Sequence, residues 1–178
     1  MKDNYNGEIM GLSVGRVRLE KYNPKWKEEF NKEKENLIYL FGNVAKKIEH
    51  IGSTAVVGIS AKPIIDIAVG LQNLHDFEEV REKFTSNINY SIKENSQEGE
   101  ILIRKGPEEN RTHFIHVMEI ESQRYKDTIR YRDILNSRSE VLKEYEKLKK
   151  KLAKEYPNDR KMYTKLKSEF IKKVLNDE

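Results

Sequence analysis

Residues 64–71, IIDIAVGL, form an almost wholly apolar run interrupted by one acid, Asp66. The run is short and β-branched, so it reads as a strand with both faces covered. An unpaired carboxylate inside such a strand costs several kcal/mol of desolvation, on the order expected for a buried ion. Asp66 must therefore sit where the strand opens to a cation, a hydrogen-bond donor or solvent. Upstream, residues 44–51 form a second strand that delivers the turn Gly52-Ser53-Thr54. Glycine lets backbone approach a ligand closely, and successive amides beside hydroxyls make a cradle for phosphate oxygens.

The residues around this pair carry a resemblance. His50 to Val56, Gly58, Ala61 to Pro63 and Ile65 to Ile67 resemble the signature of the GrpB-like family: His-Ile-Gly-Ser-Thr, then Gly, then Ala-Lys-Pro, then Ile-Asp-Ile. That family is placed in the nucleotidyltransferase-fold superfamily, marked by Gly-Ser and, nine to thirteen residues on, Asp-x-Asp or Asp-x-Glu. Twelve residues separate Ser53 from Asp66, and the second acid's position is Ala68. The resemblance runs from about Val17 to Val174. It implies an α+β fold, a nucleotidyltransferase-like mixed sheet with packed helices and a C-terminal helical cap. It also implies a nucleoside triphosphate or another phosphorylated small molecule as ligand, with Mg2+ or Mn2+ as cofactor and nucleotidyl transfer to an acceptor as the reaction.

The candidate site residues follow from that likeness together with residue chemistry. Asp66 and His116 are the expected catalytic pair and metal ligands, because a carboxylate and a neutral imidazole both hold divalent ions. Glu119 is a third, weaker ligand candidate. Two readings of Asp66 stand: metal ligand, or hydrogen-bond anchor for the Gly-Ser turn or Lys62. Gly52, Ser53, Thr54 and Lys62 are the expected phosphate cradle. Arg104, Arg132 of a Phe-Arg-Asp-like segment and Lys167 of Tyr163-x-x-x-Lys167 join them, since guanidinium and ammonium groups suit phosphate. Thr112-His113-Phe114-Ile115-His116 resembles the family's histidine-rich strand. Positions three apart on a strand face opposite ways, so His113 and His116 do not share a site without a bulge. His50 is read as bracing the turn from inside.

The rest of the chain reads as one domain of 178 residues. Residues 1–13 show no period and are expected to be a flexible N-terminus; 14–121 form the sheet core and 122–178 a helical region packed on it. A short strand is expected at Val14, Val17 and Leu19. Asn23-Pro24 starts a helix along Trp26, Phe30, Leu37, Ile38 and Phe41, ended by Gly42. Asn73 caps a helix carrying Leu74, Phe77, Val80 and Phe84. Strands are expected at 88–92, 100–104 and 112–120, the last two joined as a hairpin. Helices follow at 123–136, 140–155 and 159–175.

Composition excludes whole classes of chemistry. With no cysteine there is no disulfide, thiolate nucleophile or zinc-thiolate site. No apolar run has the length of a membrane span and the N-terminus lacks a secretory layout, so a cytoplasmic location is expected. Lysine and arginine number 34 against 30 acids, a net charge of +4 that is mostly a solvated surface and does not by itself indicate RNA. Two alternatives to an enzyme stand beside the transferase reading. One is a catalytically inactive phosphate, nucleotide or RNA binder, which Ala68 favours; the other is an interaction module using the C-terminal helices.

Overall fold

A computed structural model describes residues 10–93 and 98–177. A mixed five-stranded sheet in the order β1-β2-β5-β4-β3 forms its centre. The strands are β1 (Ala45–Ile51), β2 (Ile65–Leu71), β3 (Tyr90–Lys93), β4 (Ile101–Lys105) and β5 (His113–Glu119). β2 is flanked by β1, antiparallel, and by β5, parallel. Its interior place explains the near-absence of polar residues, and all of its side chains but Asp66 are buried. The β4–β5 hairpin forms as expected, with Arg104 opposite Phe114 and Leu102 opposite His116.

Strand alternation divides the sheet into two chemical faces. Ile65, Ile67, Val69 and Leu71 point with Ile115, Val117 and Ile103 into the main core under helix α1 (Lys25–Phe41). Trp26, Phe30, Leu37 and Phe41 supply the helix side of that core, as their spacing predicts, whereas Ile38 is exposed. Asn23 caps the helix by accepting the Lys25 N–H at 3.0 Å, and Gly42 ends it at φ 55°. Within this core Glu33 is buried, accepting from the Tyr90 hydroxyl at 2.7 Å and from the Lys105 ammonium. The segment after Asn73 is a 3-10 turn, Leu74–Glu79, followed by the short α2 (Arg81–Thr85), not one regular helix. Phe77, Val80 and Phe84 are nevertheless buried as their spacing implies.

The opposite face carries Asp66, Ala68, Phe114, His116 and Met118 and is covered by three helices, α3 (Gln123–Ser137), α4 (Ser139–Glu155) and α5 (Arg160–Asn176). The connection from Gly52 to β2 is the seam between sheet and helices. Its Val56 and Ile59 pack against Tyr131, Leu135 and Tyr145. Its Ser60 donates from N–H and hydroxyl to Glu146 at 3.1 and 2.8 Å and accepts from the buried Lys149 through its carbonyl. The expected strand near Val17 is instead an extended strap. Leu12 bridges to Arg111, Val17 N–H donates to the Pro157 carbonyl, and Glu20 bridges to Ala61. The expected looseness of residues 1–13 does not extend to residues 10–13, because Gly11 and Leu12 donate to Pro63 and Arg111. Residues 1–9 lie outside the described residues.

Removing Glu33 leaves the buried Tyr90 hydroxyl without its acceptor and the Lys105 ammonium, a quarter exposed, without its partner. Glu33→Ala is expected to lower unfolding free energy by about 2 kcal/mol, and Glu33→Gln, which still accepts from Tyr90, by less. Urea titration of the two variants checks the order.

Candidate functional site

The cleft between the Asp66 face of the sheet and helices α3 and α5 has a volume of about 710 Å³. At its floor, Gly52 lies against Asp66 with φ 69° and ψ −172°, a conformation open essentially to glycine alone. A Cβ at position 52 would stand 2.5 Å from Asp66 Oδ2. The glycine is therefore required twice, for its backbone angle and for the space taken by the carboxylate. Ser53 and Thr54 continue as a short 3-10 turn; both line the cleft, and Thr54 is buried. Thr54 Oγ1 lies 3.0 Å from His50 Nε2, and the His50 ring stacks on Phe30 at 4.7 Å. His50 thus braces the turn from beneath, and Thr54 is part of that brace.

His116 sits beside Asp66, with Nε2 3.6 Å from Oδ1. Its Nδ1 is 2.6 Å from Glu100 Oε1, and Glu100 Oε2 accepts from Arg124 at 3.2 Å. Charges therefore alternate along a line from Asp66 to Arg124. Burial alone would depress the imidazole, but hydrogen bonds and charge from both carboxylates outweigh it and hold His116 up to about 9. Asp66 is affected in the reverse sense: burial favours its neutral form, while His116, Lys62 and Lys167 pull its pKa below the ordinary value.

Asp66, His116 and Glu100 do not fit a divalent metal site. His116 is engaged by Glu100 through Nδ1 and faces Asp66 through Nε2, and both Glu100 oxygens are engaged, one by His116 and one by Arg124. Ala68, at the second acid's position, is fully buried among Ile51, Met118 and Tyr125, so that part of the floor is closed by packing. Glu119 must be removed from the ligand set. It lies on the other face of β5, and its Oε1 accepts the Leu74 N–H at 3.1 Å at the start of the 3-10 turn. Among the described residues no three histidine or carboxylate side chains converge for a metal.

The cations gather from the helical side. Lys62 stands over the Tyr163 ring at 5.5 Å, and Lys167 over the same ring at 5.6 Å. Arg160 covers the Phe114 ring at 4.8 Å. Among the described residues the Lys62 ammonium has no hydrogen bond or ion pair, only that ring. Burial first, then Arg160 and Lys167, depress Lys62 to about 7, against the opposing pull of Asp66. The alternative reading of Asp66 as an anchor for Lys62 is not met, because no ion pair joins the two. Arg132 reaches the cleft rim, but its guanidinium is committed to Glu49 at 3.0 Å, the His50 carbonyl at 3.1 Å and Asp133 at 2.8 Å, tying α3 to β1. Arg104 is not brought to the cleft; it lies farther along the sheet, opposite Phe114 and near Arg111. His113 faces the main core, as the strand period requires, with Nδ1 2.9 Å from Thr112 Oγ1. Glu100, Arg124 and Arg160 had no pattern around them that marked them beforehand.

Two outcomes test this geometry. Gly52→Ala is expected to cost about 2 kcal/mol or more from the backbone angle alone, with Asp66 displaced from the turn; chemical denaturation measures the loss. His50 and His113 are each depressed by burial to about 4. A depressed pKa contributes stability that is complete above the unfolded value of 6.5 and is lost as pH falls toward 4. Unfolding free energy should thus fall between pH 6.5 and 5, before carboxylates titrate, and His113→Gln should make that fall shallower.

Comparison with known proteins places the chain. A family model described as "GrpB protein" matches residues 16–177. The chain is 39% identical over 173 residues to the Glutamate-rich protein GrpB of Alkalihalophilus pseudofirmus, spanning 95% of this chain and 99% of that one. It is 35% identical over 158 residues to the UPF0157 protein YqkA of Bacillus subtilis, covering 88% of this chain and 46% of that protein. The crystal structure of conserved protein GrpB from Enterococcus faecalis superposes with a TM-score of 0.79 at 29% identity, covering 90% of this chain and 98% of that one. The signature at the Gly52 turn, the mixed sheet and the full-length match agree: the chain belongs to the GrpB family.

Proposed function

We propose that this GrpB-family protein binds a phosphorylated small molecule, with the phosphate held between the Gly52-Ser53 turn and the cations Lys62, Arg160 and Lys167. The observation that carries this reading is Lys62. A half-buried ammonium without a carboxylate or carbonyl partner, beside two further cations, is an electrostatic cost that a dianion repays. Six lysine or arginine side chains line the cleft against three carboxylates, two of which are already spent on His116. Nucleoside triphosphates fall within this ligand class. Nucleotidyl transfer through Mg2+ or Mn2+ does not follow from these donors, so the reading is binding, with His116 fixed as a cation in the wall.

The charge arrangement gives the reading a proton signature. Facing Lys62 are Arg160, Tyr163 and Lys167 from α5, Lys149 from α4 and Asp66 from β2. Free Lys62 titrates near 7, so at pH 8 it is mostly neutral; a bound phosphate raises it and a proton is taken up. Calorimetry with inorganic pyrophosphate at pH 8, in buffers of different ionisation enthalpy and without divalent metal, is expected to show binding with uptake of up to one proton. Lys62→Met abolishes the uptake and weakens binding about tenfold, on the scale of a lost charge-assisted hydrogen bond. Arg104→Ala leaves both unchanged. No binding without metal, or binding indifferent to Lys62, overturns the reading.

A further inference from the structure

The cleft continues beyond its phosphate end, and the two helices that wall it change character in the same direction. Along α3 its lining runs from Arg124 and Asp127 to Leu135; along α5 it runs from Arg160 and Lys167 to Ile171 and Leu175. These are positions three and four apart, so each set is one stripe of a helix. From Lys167 to Leu175 the stripe covers about 12 Å of axis, well beyond the reach of a phosphate alone. The hydroxyls at the change are turned into their own helices: Thr128 donates to the Arg124 carbonyl at 2.8 Å and Ser168 to that of Thr164 at 2.9 Å.

A nucleobase needs an open aromatic face or fixed donors and acceptors along its edge. The aromatic faces here are already covered. Tyr163 carries Lys62 and Lys167, and Phe114 carries Arg160. Tyr145 is stacked with Phe170 at 5.7 Å and has Lys149 4.9 Å from its ring centre. Beyond Lys167 and the Tyr145 phenol that hydrogen-bonds it, the lining is Tyr131, Leu135, Ile171 and Leu175, with Arg132 and Ser168 beside them but committed elsewhere, Arg132 to Glu49, Asp133 and the His50 carbonyl and Ser168 to the Thr164 carbonyl.

We propose that the ligand is amphipathic: a phosphate ester of an apolar chain, its head at Lys62, Arg160 and Lys167 and its chain laid between Leu135 of α3 and Ile171 and Leu175 of α5. This rests on the phosphate reading above and narrows it. Charge complementarity fixes the head, and the change from polar to apolar along both stripes fixes the direction of the tail.

A homologous series tests it: inorganic phosphate, then butyl, hexyl and octyl phosphate, with ATP alongside, each titrated calorimetrically into the full chain. Affinity is expected to rise about two- to fourfold per added methylene, and octyl phosphate to bind at least tenfold tighter than ATP. Ile171→Gln, at a half-buried position, flattens the series and leaves inorganic phosphate binding unchanged; Leu175→Gln, near the helix end, does the same if the first variant is unstable. If inorganic phosphate binds but the series is flat, or ATP binds more tightly than octyl phosphate, the amphipathic ligand is overturned and phosphate binding stands. If neither phosphate nor any ester binds, the phosphate reading fails and this proposal falls with it.

Discussion

The contact between Gly52 and Asp66 governs the rest of the structure. A carboxylate on the central strand of a covered sheet is tolerated only if its surroundings answer its charge. Here a backbone without a side chain makes room for it, and His116 and the lysines of the seam and of α5 answer it. The same strand contributes Ile65, Ile67 and Val69 to the opposite core. Asp66 is thus held by packing it does not take part in. Moving the carboxylate means moving the strand, which explains how a single acid is presented to the cleft in a defined place.

The helical region completes the site as well as covering the sheet. Ser60 is gripped by Glu146 and Lys149, and Arg132 clasps Glu49 and the His50 carbonyl. These ties fix α3 and α4 to the turn and to β1, and α5 then brings Arg160 and Lys167 over Asp66. Residues far apart in the chain meet because the loop after Gly52 is itself an interface. Its Val56 and Ile59 belong to the core of the helices more than to that of the sheet.

What was legible in the chain follows from what local pattern encodes. The three C-terminal helices agree with their spacing to within one residue at each end, because amphipathic stripes and Pro157 mark them. The β2 strand and the opposite facing of His113 and His116 were equally readable, since a period of two leaves no choice. The same rule already placed Glu119 with Ile115 and Val117, away from His116, so its candidacy rested on the family's acid pattern against the geometry of its own strand. Arg104 failed for a different reason: it shares the face of Leu102 but stands one pleat too far along. Lys149 is one of many lysines in α4, and nothing local says which is buried. Glu100 and Arg124 acquire meaning only through pairing across the β4–β5 hairpin and with α3.

Taken together, the cations and the acid leave the cleft with an imbalance that packing has not removed. Lys62, Lys167 and Arg160 repel one another, and Asp66, already shared with His116, offsets only part of that repulsion. The aromatic rings beneath the cations soften the cost at about 0.5–1 kcal/mol each for exposed geometry, less than a hydrogen-bonded counterion would give. A chain selected for stability alone would place an acid among them, as it has done at Glu33 beneath Lys105 and Tyr90. The molecule therefore pairs the buried Glu33 with Lys105 and Tyr90, whereas in the cleft Lys167 has the Tyr145 hydroxyl and Lys62 has only the face of a ring. On the proposed reading, stability given up at the second place is the free energy that a bound anion would recover.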